Sequence, residues 1–292
     1  MANAITLFKK YIDLLDEVYK NNALTADIES DPSTARQGAN ANEIIIPKIS
    51  MDGLATYSRN SGYVSGDVTL TNETVTFNYD RGRKFSVDTM DNEETAGVAF
   101  GRLASEFIRT KVVPEMDAFH FAQIAGTSGI STATPGAIST GANVVTALRE
   151  AVTNMDENEV PLNDRILYIT PTLYGLVQDL DTAKSREVLS RFVKIVQVPQ
   201  TRFYTKIDLY DGTTAGEEAG GYIKDATSGK NINFMVISKS AIMQYSKHVV
   251  NKIITPELNQ TSDGWMFFYR AYGLCDVYEN KLAGVYLHAS TT

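Results

Sequence analysis

The sequence predicts an α+β fold of elongated shape, and three observations carry that reading. A polar, alternating strand arm occupies 50–88, helical spacing then persists from Asp91 to Gly126, and a very long strand lies near the C-terminus. At about 1.5 Å per residue the helix would be ~50 Å long. A compact sphere of this chain length would be only ~50 Å across, from a radius of gyration near 19 Å. An isolated two-stranded arm is marginally stable, so the arm is expected to bury itself against something outside its own subunit.

The elements follow in order. Ile5, Phe8, Ile12, Leu15 and Tyr19 share one face of an amphipathic helix. The polar stretch 21–42, with Asp31–Pro32, reads as an extended arm or loop. Glu43–Ile49 is a short strand whose Pro47 suggests an edge. In the arm, Val68 and Leu70 alternate, Thr71–Asn72–Glu73 is expected to turn, and Val75, Phe77 and Tyr79 alternate after it. The same phase then becomes basic at Arg81 and Arg83 before returning to Phe85 and Val87. Arginines on that face need solvent or an acidic partner, so the site is either a solvated bend around Gly82 or an intersubunit salt bridge.

Asp88, Asp91, Glu93 and Glu94 place negative charge where the helix dipole favours it. Phe100, Leu103 and Phe107 form the apolar stripe of the long helix, and Pro114 inside the pattern predicts a bend. A Gly/Ser/Thr loop follows Gly126. Asn143 is expected to cap a helix running to Met155, Ile166–Ile169 is a buried strand, and Pro171 opens a helix to Leu180. This strand–helix alternation over 143–198 predicts a separate α/β lobe. The Gly-, Thr- and acid-rich 208–230 is an exposed loop or hairpin tip, and Asn233–Ser238 is a buried strand. Trp265–Tyr278 is apolar on both phases, which at ~3.3 Å per residue makes a ~45 Å strand. Asn280–Lys281 is expected to turn it back so that Gly284–His288 returns beside it.

Composition narrows the function. Of 292 residues, 43% are apolar and 21% charged, which suits a folded protein with a sizeable core. The net charge of −8 argues against bulk attraction to DNA while leaving room for a local basic patch. The single cysteine, Cys275, leaves no intrachain disulfide and reads as a buried inert thiol. No apolar run is long enough to span a membrane, and the N-terminus has no secretory pattern, so a reducing, cytoplasm-like compartment is expected.

The search for chemistry returns little. His120, His248 and His288 have no metal-ligand spacing, and His120 between two phenylalanines reads as a packed histidine. There is no Gly-x-Ser-x-Gly elbow, and Gly229–Lys230 lacks the spacing of a phosphate loop. Asp208, Asp211, Glu217 and Glu218 do not match a calcium loop and read as a solvated acidic segment. No catalytic residue, metal or cofactor is expected. Tyrosines crowd the arm and terminal strands, Tyr57, Tyr63 and Tyr79 among them, and serve either ordinary sheet packing or an interface.

This layout resembles the HK97-like major capsid protein of tailed bacteriophages. The local wording agrees at Ala133–Thr134–Pro135–Gly136–Ala137–Ile138 after the long helix, and at Asp276–Val277–Tyr278–Glu279–Asn280–Lys281 with Gly284–Val285–Tyr286–Leu287–His288. The resemblance spans essentially the whole chain. It implies an HK97-like capsid fold: an N-terminal arm at 1–49, a β-hairpin E-loop at 50–88, and a spine helix with its following loop at 89–139. An axial A-domain at 140–232 follows, and return strands at 233–292 complete it and the peripheral P-domain. It further implies self-assembly as hexamers and pentamers around double-stranded DNA bound without sequence specificity. A portal protein would sit at one vertex, a separate scaffolding protein is an optional partner, and the shell would be assembled in the host bacterial cytoplasm. Only about 40 residues precede the first strand, too few for the cleaved scaffolding segment of some family members, and Met1 favours an uncleaved chain. On this reading Arg81, Arg83, Lys84, Tyr57 and Tyr63 are intersubunit contacts, and Pro114 is the kink of the spine helix.

Two other readings stand beside it. An encapsulin-like nanocompartment shell would share the fold and enclose cargo enzyme. An α/β enzyme would use the 143–238 lobe, against which the missing catalytic constellation counts. A tail or adhesin module fits the long central helix poorly.

Overall fold

Three kinds of packing arise from this chain: a ribbon, a helix laid on a long-stranded sheet, and an α/β lobe. The computed structural model describes residues 23–30, 36–37, 43–94, 98–180 and 182–291. The amphipathic pattern at Ile5–Tyr19 lies outside the described residues, as does much of 21–42.

A 3-10 turn at Ala26–Ile28 precedes β1 (Arg36–Gln37), β2 (Glu43–Met51) and β3 (Val68–Thr76). β2 and β3 form an antiparallel ribbon from Glu43↔Thr76 to Met51↔Val68. At about 3.3 Å per residue it extends ~30 Å. The expected turn at Thr71–Asn72–Glu73 is therefore corrected: these residues are mid-strand, and the turn is the longer 52–67 segment. The cause is solvent on both faces, which removes the apolar alternation, while Thr69, Thr71, Thr74 and Thr76 supply β-branched strand formers. β1 covers β2 only at Ile44 and Ile45, so Pro47 sits beyond it, where its missing N–H leaves no ladder bond unmade among the described residues.

β4 (Tyr79–Asp88) leaves the ribbon, so the two-stranded arm comprises 43–76 and not 50–88. The helical stretch is α1 (Thr89–Glu94), α2 (Val98–Phe107), a π-helical turn at Ile108–Val112, and α3 (Val113–Gly126). The lobe contains β5 (Ser131–Thr132), α4 (Gly141–Glu157), β6 (Arg165–Ile169), α5 (Pro171–Leu180), α6 (Ala183–Leu189) and β7 (Lys194–Gln197). The hairpin β8 (Ile207–Leu209) and β9 (Tyr222–Lys224) precedes β10 (Ile232–Ser238), β11 (Ile242–Ile254), β12 (Gly264–Val277) and β13 (Val285–Ala289).

The lobe sheet runs β5-β13-β10-β6-β7 and the long sheet β11-β12-β4. β13 thus pairs with β10 and β5 and does not return beside β12 as expected; β11 takes that place. β11 escaped notice because its first residues are buried on both faces and its middle is exposed, so no single period runs through it. The lobe sheet is buried on both faces, hence its unbroken apolar runs. Leu167, Ile169, Phe234 and Val236 meet α4 and α5, while Ile166, Tyr168, Met235 and Ile237 meet the core that contains α3. α4 is capped three residues earlier than expected, because Thr140 Oγ1 accepts the Asn143 N–H at 3.3 Å and acts as the cap. A Cβ on Gly141 would lie 2.2 Å from the Leu176 carbonyl oxygen, so glycine permits α4 to approach α5. α2 and α3 lie across β4 and β12 through Phe85–Phe107 (4.8 Å), Phe107–Tyr269 (6.0 Å) and Tyr79–Phe119 (4.8 Å).

Candidate assembly surfaces

The ribbon has two unlike faces. On one, Ile44 and Val75 are buried against Met243, Tyr245 and Leu274, which anchors its base to the long sheet. Farther out Lys48 pairs with Glu73 at 3.2 Å and with Glu279. On the other face two cross-strand pairs, Ile49↔Leu70 and Met51↔Val68, stand in solvent at 58, 68, 63 and 67% exposure. The 52–67 tip adds Leu54, Tyr57, Tyr63 and Val64, all exposed. Tyr57 and Tyr63 meet edge to face with ring centres 4.9 Å apart. A contiguous exposed apolar stripe is a candidate interaction surface. The two tyrosines were visible in the sequence as candidates. The aliphatic quartet was not, because it becomes a stripe only in the observed register.

Arg81 and Arg83 both find partners inside the subunit. Arg81 Nε donates to Glu115 Oε1 of α3 at 2.7 Å, and its Nη1 donates to the Tyr210 carbonyl at 2.8 Å. Arg83 Nη2 donates to the Glu218 carbonyl at 2.9 Å. The cause is that β4 belongs to the long sheet, whose inner face meets α3 and the β8–β9 hairpin. Gly212 and Gly220, both at positive φ, cradle Arg83: a Cβ on Gly212 would come within 2.7 Å of Nη1. The acidic loop is spent locally, since Asp211 accepts the N–H groups of Thr213 and Thr214, and those bonds hold its carboxyl far below the usual range. Lys84 is different. It faces the opposite side of β4, is exposed, and has no ion pair among the described residues.

Pro114 lies at the start of α3, directly after the π-turn. Its ring cannot donate to Thr110 and crowds that carbonyl, and the Val113 N–H reaches back five residues to Ile108. The spine helix is therefore interrupted one turn ahead of the proline.

One buried polar network was missed in the sequence. Asp117 on α3 is fully buried and accepts the N–H groups of Leu24 (3.2 Å) and Thr25 (3.1 Å), the Thr25 hydroxyl (2.9 Å) and Arg202 Nη1 (3.2 Å). His120 Nδ1 lies 2.9 Å from the same hydroxyl. Because that hydroxyl donates to Asp117, Nδ1 must carry the proton, and the imidazole is neutral. Burial lowers the His120 pKa to about 4 and pushes the Asp117 carboxyl up. Asp27 pairs with Lys194 at 2.7 Å, and Ser30 bonds to Ile242 and Gln244, so 23–30 straps α3 to the lobe and to the long sheet. Cys275 is buried and its thiol pKa is raised by desolvation. Among the described residues no His/Cys/Asp/Glu group is arranged to hold a metal ion, and no helix is long and apolar enough to cross a membrane.

No protein-family model matches the chain, and no curated protein matches it. Solved structures do. The asymmetric unit of the bacteriophage PhiM1 mature capsid is 13% identical, with a TM-score of 0.60 over 88% of this chain and 84% of that one. The capsid of the cyanophage P-SCSP1u is 14% identical, with a TM-score of 0.57 over 88% and 86%. A virus-like particle from Pyrococcus furiosus is 11% identical, with a TM-score of 0.58 over 97% and 99%. At such identities the likeness establishes architecture, and the ribbon, long interrupted helix and α/β lobe of this chain make an HK97-like capsid fold.

Proposed function

We propose that this chain is a major capsid protein whose copies assemble, as pentamers and hexamers, into the icosahedral shell around phage double-stranded DNA. The observation that carries the reading is the ribbon: its apolar stripe has no cover among the described residues, on a fold shared with capsids. The ribbon acts as the E-loop of one subunit laid over the next, the interrupted helix as the spine, and the lobe as the A-domain. Heterologous contacts of this kind close into rings and shells when the rotation closes. The reading gives the 143–238 lobe a packing role and no catalysis. With a net charge of −8, the wall confines DNA by closure more than by phosphate neutralisation. A portal at one vertex, an optional scaffolding protein and assembly in the host cytoplasm belong to the same reading.

A second reading keeps the fold and changes the contents, a compartment enclosing protein cargo. The nearly full mutual coverage with the virus-like particle favours retaining it.

The test is assembly. Purified subunits, alone and with any scaffold, should give closed particles tens of nanometres across by electron microscopy. Replacing 52–67 with a short Gly-Ser linker should preserve a cooperative melt and abolish particles. A subunit that stays monomeric under every assembly condition, or normal particles from the deletion, would refute the proposal. Nucleic acid inside the particles separates the first reading from the second.

A further inference from the structure

The outer face of the long sheet, away from the spine helix, is basic in an acidic protein. Lys84 of β4 and Lys252 of β11 both stand opposite Phe268 of β12, one on each side. With strands about 4.8 Å apart, their Cα atoms are ~10 Å from each other. Both lysines are exposed, and neither has an ion pair among the described residues. Arg270 follows on β12, held in a two-bond pair by Asp80 at 2.9 and 2.7 Å. Lys247 lies over the Phe77 ring at 4.9 Å. Four cations against two carboxylates, Asp80 and Asp88, give this face about +2 in a chain of −8. A groove of about 630 Å³ runs between Lys84, Lys252, Phe268 and Arg270, with the half-buried phenyl ring in its floor.

The arm carries the opposite charge pattern. Asp52 and Asp67 continue the ribbon one step past Met51↔Val68: the Asp52 N–H donates to the Asp67 carbonyl at 3.1 Å, and the Asp67 N–H to Asp52 Oδ2 at 2.9 Å. Two carboxylates opposite one another on a ribbon repel. Both are exposed, and no cation among the described residues pairs with either. The exposed aliphatic stripe adjoins them.

We infer that the Lys84–Phe268–Lys252 groove is the seat for the Asp52–Asp67 tip of the arm of a second copy. This rests on the shell reading above and names the receiving surface that it leaves open. An unpaired acidic couple beside apolar side chains meets an unpaired lysine couple around an aromatic ring, so charge and apolar surface are complementary together. A second copy suits the groove better than nucleic acid does. Only two of the four cations are uncommitted, too few to hold a duplex against the field of an acidic protein, whereas two carboxylates match them one for one.

Charge exchange tests this. Lys84→Glu with Lys252→Glu, and separately Asp52→Lys with Asp67→Lys, should each melt as cooperatively as the wild type and lose closed particles. The variant carrying all four changes should regain them. The neutral pair Lys84→Gln with Lys252→Gln should assemble at a higher subunit concentration than the wild type, and salt should weaken wild-type assembly more than that of this variant. Normal particles from either reversed pair, or a folded four-site variant that fails to regain them, would overturn the inference. So would normal particles from the lysine reversal with reduced nucleic-acid content, since the face would then look at the genome. Failure of the wild type itself to assemble would strike the shell reading instead.

Discussion

Asp117→Asn probes the strap that joins residues 23–30 to the spine helix. The carboxylate accepts four hydrogen bonds, two on each oxygen: Thr25 N–H and hydroxyl on Oδ1, Leu24 N–H and Arg202 on Oδ2. An amide of the same shape has one acceptor oxygen. Whichever way it turns, two donors face an NH₂ group. Hydrogen bonds to a charged group contribute ~1.5–3 kcal/mol each, so losing two costs about 3–6 kcal/mol. A chain of this length has an unfolding entropy of about 0.6 kcal/mol per degree at its midpoint. The Tm should therefore fall by ~5–10 °C. Calorimetry reads the fall, and limited proteolysis should cut the substituted protein near residues 23–30 before the rest of the chain. A Tm within about 2 °C of the wild type, with unchanged proteolysis, would refute the claim that this network fastens the strap.

Three further outcomes follow from the same geometry. His120 is buried neutral with its pKa lowered to about 4 against an ordinary 6.5, so the stability it contributes is complete above 6.5 and is lost as pH falls toward 4, by at most about 3 kcal/mol; Asp117, whose pKa is raised, titrates with the opposite sign, and the difference between wild type and His120→Gln in pH-dependent melts isolates the histidine. Cys275 should resist thiol reagents in the folded protein and react only on unfolding, as timed labelling with and without denaturant would read. Pro114→Ala restores a donor for Thr110 and should let the π-turn relax to α-helix, visible as altered amide exchange over 108–114; under the shell reading it should also change the kinetics of shell maturation, and unchanged exchange would sink the idea.

Where one period runs through an element, the sequence disclosed it. The spine helix appeared because Leu103, Phe107 and Ile108 keep a helical stripe into the core. β6 and β10 appeared because a sheet covered on both faces is apolar throughout. Elements that change environment along their length were obscured. β3 is solvated on most of its surface, so Thr71–Asn72–Glu73 resembled a turn. β11 passes from full burial at Ile242–Tyr245 to exposure at Ser246–Val249. Partners distant in the chain were hidden for another reason. Arg81 needed solvent or an acid, yet Glu115 lies 34 residues along the chain, and only the docking of α3 on β4 selects it from the other carboxylates. Thr25 lies in a stretch whose composition reads as loop, and its role exists only through Asp117 and His120.

Magnitudes explain why an arm so poorly covered is compatible with a folded subunit and, on the shell reading, with assembly that waits for company. Burying an aliphatic side chain fully is worth ~1.5–3 kcal/mol. Ile49, Met51, Val68 and Leu70 are each roughly two-thirds exposed, so covering them yields about 4–8 kcal/mol per arm. Fixing two proteins together costs an estimated 4–15 kcal/mol. On the shell reading one arm laid on one neighbour therefore comes close to balance, and an isolated pair of subunits should dissociate readily. In the proposed ring each subunit would both give an arm and receive one, so closing the ring would add a contact without freezing another body. The last subunit is then held about twice as strongly as the first, and particles should appear over a narrow concentration range with few intermediates. The base of the ribbon, fixed by Ile44 and Val75 on the long sheet, keeps the arm in place for that event, because an unanchored hairpin would add its own ordering entropy to the cost.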